Sequence, residues 1–181
     1  MLLDTPLCDF GWKAPDFTLS DPDGKAVTMP EQLGERGLLI AFICNHCPFV
    51  LDMVERLVQD LAEIQAGGVN VLAVMPNDFQ NYPSDSPAEM RRFAAKYGFT
   101  FPYLVDEDQS VARAYDAVCT PDFFGLNKER ELQYRGRLDD QRMGDSSRIT
   151  KELVDAMKQI ADTGRGPKEQ YPSMGCSIKW R

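Results

Sequence analysis

Two cysteines stand three residues apart in Cys44-Asn45-His46-Cys47-Pro48. That spacing suits a redox dithiol, because one thiolate can attack a disulfide sulfur and the neighbouring thiol can then close on it. His46, the one histidine of the chain, lies between them. As an imidazolium it would lower the pKa of Cys44, stabilise the reduced form and make the disulfide more oxidising. On this reading Cys44 attacks a partner disulfide and Cys47 resolves the mixed disulfide. A Cys-x-x-Cys pair can also be half of a zinc site, but a closed tetrahedral site needs four ligands and the chain has no second pair. Cys119, Cys176 and His46 are the residues that could complete one.

The elements around the pair place it at a strand-to-helix junction. Leu38-Leu39-Ile40-Ala41-Phe42-Ile43 is an apolar run of buried-strand length, and Val50, Val54, Leu57, Leu61 and Ile64 recur at helical spacing after Pro48. The first turn of a helix carries unpaired N–H groups and the positive end of the dipole, so a thiol there ionises more readily. Pro48 suits the first helical position, where its fixed φ and missing N–H cost nothing. The helix should end at Gly67-Gly68, followed by a second buried strand over Val69 to Met75. A strand-helix-strand unit of this kind predicts a parallel pair with a right-handed crossover.

At 181 residues, 43% hydrophobic and 27% charged, the chain has the composition of one globular domain, 1–181, with a core over about 10–162 and a tail over 163–181. The formal charge of −8 argues against nucleic acid and against an anionic membrane surface. The opening residues lack a basic, then apolar, leader, and no apolar run reaches spanning length. The expectation is a cytoplasmic protein. Five cysteines, with one close pair among them, do not resemble a secreted disulfide framework.

Elsewhere, Phe17-Thr18-Leu19 and Ala26 to Met29 read as a hairpin turning at Gly24. Asn77 to Pro87 is a polar loop at the carboxyl end of the second strand, where ligand crevices form in α/β sheets. Ser86-Pro87-Ala88-Glu89 should cap a helix to Tyr97. Phe101 to Val105, interrupted by Pro102, reads as an edge or irregular strand. A brief helix capped by Asp106 or Asp108 should run through Ala117, and Phe123 to Leu126 with Leu132 to Arg135 form another hairpin. A last helix is expected over about Ser147 to Ala161, with the tail wrapping the surface. Arg135, Arg137, Asp139 and Asp140 read as a solvated or salt-bridged face.

The element order, the leading Ala14-Pro15-Asp16-Phe17, the Cys44 to Pro48 junction and Thr120-Pro121 followed by Phe123-Phe124 resemble the thioredoxin superfamily. Within it the chain is most similar to the alkyl hydroperoxide reductase/thiol-specific antioxidant, or peroxiredoxin-like, branch. The tail Gly175-Cys176-Ser177-Ile178-Lys179-Trp180 resembles one peroxiredoxin-like subgroup. The resemblance implies an α/β thioredoxin-like fold: a central mixed β-sheet flanked by α-helices, with an N-terminal β-hairpin extension. It also implies that Thr120-Pro121 occupies the place of the cis-proline that faces a thioredoxin dithiol. Peroxiredoxins use Pro-x-x-x-Thr-x-x-Cys and a later Arg to hold peroxide. If Cys47 takes the peroxidatic place, Ile40 stands for the Pro, Cys44 for the Thr, and no Arg lies near Cys119-Thr120-Pro121. The Trp that thioredoxins carry before the first cysteine is here Ile43.

The reading that follows is a thiol-disulfide oxidoreductase with Cys44, Cys47, His46, Thr120 and Pro121 at its site. Cys119 and Cys176 are possible accessory thiols, Cys119 beside the proline and Cys176 carried by the tail; the alternative for Cys119 is buried packing, and for Cys176, more often than not, a passive residue. No cofactor and no metal are expected. The partners would be protein or small-molecule disulfides and thiols, with a thiol reductant system as electron donor. Two alternatives stand beside it: a thiol peroxidase with Cys47 peroxidatic, and a non-enzymatic binding protein whose surface responds to disulfide formation. No buried carboxylate is identifiable ahead of the dithiol, so the acceptor for the second thiol's proton is unassigned.

Overall fold

Five successive apolar residues, Leu38–Phe42, are fully buried on both faces, as the middle strand of a sheet covered on each side must be. The computed structural model describes residues 1–148 and 150–181. In chain order its strands are β1 (Leu2–Asp4), β2 (Thr18–Ser20), β3 (Ala26–Thr28), β4 (Leu38–Phe42), β5 (Asn70–Met75), β6 (Tyr103–Val105), β7 (Cys119–Thr120), β8 (Asp122–Leu126), β9 (Leu132–Tyr134) and β10 (Met174–Ser177). Its α-helices are α1 (Met29–Gln32), α2 (Pro48–Ala66), α3 (Pro87–Tyr97), α4 (Ser110–Ala114) and α5 (Glu152–Thr163). Seven strands form a mixed sheet in the order β3-β2-β6-β5-β4-β8-β9. β4 runs parallel to β5, and β5 to β6, whereas β8 lies antiparallel to β4.

The β4-α2-β5 unit is as the periodicity requires, with Val50, Val54, Leu57, Leu61 and Ile64 buried along α2. The hairpin β2-β3 pairs Thr18 with Thr28 and turns at Gly24, whose φ of +86° is open to glycine without strain. Ser86 caps α3 through the N–H of Glu89, and Gly98 ends it in the left-handed conformation. These features and the helices on the sheet make a thioredoxin-like α/β fold.

Several local expectations change. β6 is an interior strand, because β2 pairs with its outer side through Ser20 and Val105. Pro102 is compatible with this since it precedes the strand and offers its carbonyl to the N–H of Ala73. α4 ends at Ala114, and both aspartates serve its start: Asp106 accepts from Val111 and Ala112, Asp108 from Ser110. α5 begins at Glu152; position 149 of the span expected to be helical lies outside the described residues. The charged segment after β9 is salt-bridged, with Arg135 bonded to Asp122 at 2.9 Å and Arg137 to Glu152 at 2.7 Å. Arg135 and Asp139 are buried.

The largest departure is the tail. It is not a surface wrap: residues 174–177 form the middle strand of a second sheet, β1-β10-β7. Gly175 is required there, because a Cβ at this position would stand 2.1 Å from the Thr120 carbonyl oxygen. The glycine lets β10 press against the segment that faces the dithiol.

Candidate active site

Cys44 lies just past the end of β4, and Cys47 is the N-cap residue of the 19-residue helix α2, with Pro48 in its first turn. Across from them the Thr120–Pro121 peptide is cis. Thr120 touches both cysteines: its Oγ1 is 3.3 Å from Cys44 Sγ, and its carbonyl oxygen is 3.0 Å from Cys47 Sγ. Cys44 is 1% exposed and Cys47 0%. All five cysteines are unpaired thiols.

The two buried sulfurs are electrostatically unlike. Cys47 is lowered to about 4, first by a hydrogen bond from the Cys44 thiol and then, against burial, by the backbone N–H groups of Val50 and Cys176 and by the Thr120 side chain. Its contact with the Thr120 carbonyl is the one of these that favours a protonated thiol. Cys44 is raised well above its ordinary value, first by that same bond to Cys47, then by burial and by the Asp85 carboxylate. The reduced pair therefore holds one proton, on Cys44. This reverses the sequence expectation that His46 would make Cys44 the more acidic thiol. The helix N-terminus acts on Cys47, and Cys44 sits by a carboxylate that the sequence did not place.

That carboxylate is Asp85, fully buried and delivered by the loop after β5 through a 3₁₀ turn, Pro83–Asp85. Its Oδ1 accepts from Asn45 N at 2.8 Å and its Oδ2 from Asn77 Nδ2 at 2.8 Å. Oδ2 also lies 2.7 Å from His46 Nδ1, off the line of a well-formed N–H···O bond. This contact raises the His46 pKa against partial burial, so the imidazole holds its proton to higher pH. The Tyr82 ring stacks on His46 at a 6.0 Å centroid distance. Tyr103 Oη donates to Asn45 Oδ1 at 2.9 Å and so helps fix the Cys-x-x-Cys turn. Cys44, His46 and Asp85 offer ligand atoms within 4.8 Å of one another, the set among the described residues that could hold a metal ion.

The sequence had singled out the Asn77 to Pro87 loop as crevice-forming. The loop flanks a groove of about 580 Å³ beside His46, lined by Asn45, Leu51, Pro83, Ser84, Arg92 and Lys96 among others. A larger hollow of about 900 Å³ lies by the β2-β3 hairpin and is lined by none of the cysteines. The two accessory thiols separate. Cys119 is buried, its sulfur 3.6 Å from the Pro121 carbonyl, and burial raises its pKa. Cys176 is half-buried, pairs with Thr120 in the β10-β7 register and packs against the cluster that holds Cys44 and Cys47.

Residues 10–135 match the model of the AhpC/TSA family. The chain belongs to the AhpC/TSA family. Among relatives of this AhpC/TSA protein, the thiol-disulfide oxidoreductase ResA of Halalkalibacterium halodurans is 26% identical over 129 residues, 71% of this chain and 69% of its own. Peroxiredoxin Bcp of Escherichia coli is 29% identical over 112 residues, 62% of this chain and 67% of its own. A solved structure of an uncharacterized conserved protein from Geobacillus kaustophilus is 39% identical, covers 100% of this chain and 97% of its own, and superposes with a TM-score of 0.94. The family thus includes relatives named for disulfide exchange and for peroxide reduction.

Proposed function

We propose that this AhpC/TSA protein is a thiol-disulfide oxidoreductase in which Cys47 is the nucleophilic thiolate and Cys44 its resolving partner. The observation that carries the reading is the arrangement of the pair: Cys47 at the N-terminus of α2, Cys44 beside His46 and Asp85, and Thr120 in contact with both sulfurs. When Cys47 has formed a mixed disulfide, the Cys44 thiol must lose its proton before it can attack Cys47 Sγ. His46, held by Asp85 with its ligand atom within 4.8 Å of Cys44 Sγ, takes it when its imidazole is in the neutral form. Closure gives a Cys44–Cys47 disulfide and releases the partner sulfur as a thiolate. A thiol reductant system then returns two electrons, and no bound cofactor is needed. The five unpaired thiols fit a reducing, cytoplasmic setting.

A peroxidase reading draws support from the acidic thiol at the position that the family resemblance matches to the peroxidatic cysteine. Against it, Cys44 occupies the place of the peroxide-binding Thr, and the buried Arg135 is engaged by Asp122 and the Asp116 carbonyl. The test is turnover with two substrates in parallel. The protein should reduce a model disulfide repeatedly at the expense of dithiothreitol and consume hydroperoxide much more slowly, with Cys47→Ser silent toward both. Fast hydroperoxide consumption with negligible disulfide turnover would replace this reading by the peroxidase.

A further inference from the structure

Both sulfurs of the proposed redox pair are covered, so a question of access follows from the geometry. An external thiol cannot attack a Cys44–Cys47 disulfide in line while Cys44 and Cys47 are 1% and 0% exposed. β10 packs against the cluster that holds both sulfurs, and it does so through a cysteine. Cys176 stands opposite Thr120 in the β10-β7 register. The same Thr120 gives its hydroxyl to Cys44 and its carbonyl to Cys47. Paired residues of adjacent strands project to the same face of a sheet, and successive residues to opposite faces. Cys176 therefore shares the dithiol face with Thr120, whereas Cys119 and its partner Ser177 project to the other. Cys8 has Arg135 and Gln170 as its neighbours rather than the pair.

We propose that Cys176 is a third redox thiol, which takes the disulfide from the buried Cys44–Cys47 pair and presents it to an external thiol reductant at the surface. The proposal rests on the oxidoreductase reading of the pair and adds a route to it. Three observations converge. Cys176 is half-buried, whereas Cys44 and Cys47 are covered. It packs against the cluster that includes Cys44 and Cys47. Its strand is held at both flanks: Ser173 Oγ donates to the Pro121 carbonyl at 2.9 Å, Ile178 N to Val118 O at 3.1 Å, and Lys179 N to Asn77 Oδ1 at 2.9 Å. Cys176 is thus a fixed member of the site and not a residue on a loose tail.

The exchange balances without a further reactant. Cys176 Sγ, as thiolate, attacks Cys47 Sγ of the Cys44–Cys47 disulfide; the Cys47–Cys176 bond forms, the Cys44–Cys47 bond breaks, and Cys44 leaves as a thiolate that takes a proton from His46. The external thiolate then attacks Cys176 Sγ and forms a mixed disulfide with it, and Cys47 leaves. Cys47 is the best leaving group of the three, because its thiolate is the most stabilised. A second external thiol releases Cys176 and completes the reduction, so one protein disulfide and two external thiols become two protein thiols and one external disulfide. Each step is reversible, so a substrate disulfide is taken up by Cys176 and passed to Cys47, and the mixed disulfide that Cys44 then resolves is Cys47–Cys176. In the reduced protein Cys176 is raised by burial and by its neighbour Cys47. Once Cys47 is in a disulfide its negative charge is gone, and Cys176 ionises more readily when it has to attack.

The test uses the full chain, wild type, Cys44→Ser and Cys176→Ser, each oxidised with diamide and mapped by mass spectrometry before timed reduction with dithiothreitol. Cys44→Ser should yield a Cys47–Cys176 disulfide. Cys176→Ser should still form Cys44–Cys47 but regain its thiols at least tenfold more slowly than wild type. Re-reduction of Cys176→Ser at the wild-type rate, or a Cys44→Ser protein that leaves Cys47 and Cys176 unlinked, would overturn the relay while leaving the pair intact. Failure of wild type itself to form Cys44–Cys47 would remove the oxidoreductase reading together with the relay built on it.

Discussion

The bond between the two cysteines is what first makes them differ in role. With it, burial and the Asp85 carboxylate keep the proton on Cys44, and backbone N–H groups at the α2 N-terminus and on β10 help keep the charge on Cys47, so the reduced site is one thiol and one thiolate. The sign of the pH dependence follows. A folded thiol lowered to about 4, against an ordinary value of 9.0, adds stability to the reduced form above that ordinary value and loses it as pH falls toward 4. Between these limits reduction takes up one proton for two electrons. The potential measured in glutathione buffers should then change by about 30 mV per pH unit across pH 5–8, against about 59 mV for a pair that binds two protons. His46 works in the opposite sense. Its raised pKa contributes stability that is present below about 6.5 and lost as pH rises through the folded value. Asp85→Asn should lower the pKa of both His46 and Cys44, the first readable by NMR titration and the second by the pH dependence of Cys44 alkylation.

Two elements carry buried charge beside the site. β8 begins at Asp122, fully buried and pushed up to about 6 by burial even though Arg135 opposes the shift. Arg135 answers from just beyond β9 with bonds to both Asp122 oxygens, at 3.3 and 2.9 Å, and lies over the Phe124 ring. Arg135→Met removes the partner and leaves a carboxylate in a site that cannot hydrate it. Chemical denaturation should show a loss of about 3–5 kcal/mol, with most of it recovered in the double variant Arg135→Met/Asp122→Leu. The Asp122→Leu change sits one residue past the cis proline, so the double variant also tests whether the ion pair matters to the dithiol or only to β8.

Across the whole molecule, the last residues close the structure onto the first. β10 bridges β1 and β7, so the two chain ends pair with each other beside the cluster that holds Cys44 and Cys47, and Trp180 stacks on Arg113 of α4. A chain ended after Ser173 loses both pairings of β10. It should unfold at a lower temperature, and its Cys44 and Cys47 should react with iodoacetamide at least tenfold faster than in the full chain. Gly175→Ala should do the same more weakly, because the new methyl meets the Thr120 carbonyl and lifts β10 without removing it.

What could be read from residue order was whatever depends on near neighbours. The β4-α2-β5 unit, the Ser86 cap, the Gly24 turn and a dithiol at a helix start all follow from periodicity, caps and turn chemistry, which act over a few residues. The resemblance of Thr120-Pro121 to a thioredoxin cis-proline segment matched the cis bond that the structure contains. Three things lay beyond that reach. Asp85 is one of several acidic residues in its neighbourhood, and only the fold of its loop turns it 40 residues back in sequence onto the N–H of Asn45. β10 has no alternating apolar pattern of its own, with an exposed Met174, a glycine and a cysteine; pairing with β1 and β7 makes it a strand. The placement of the charge on Cys47 drew on Thr120 and on the backbone of β10, because a pKa inside a protein is set by the groups that tertiary packing brings close, however far apart they stand along the chain.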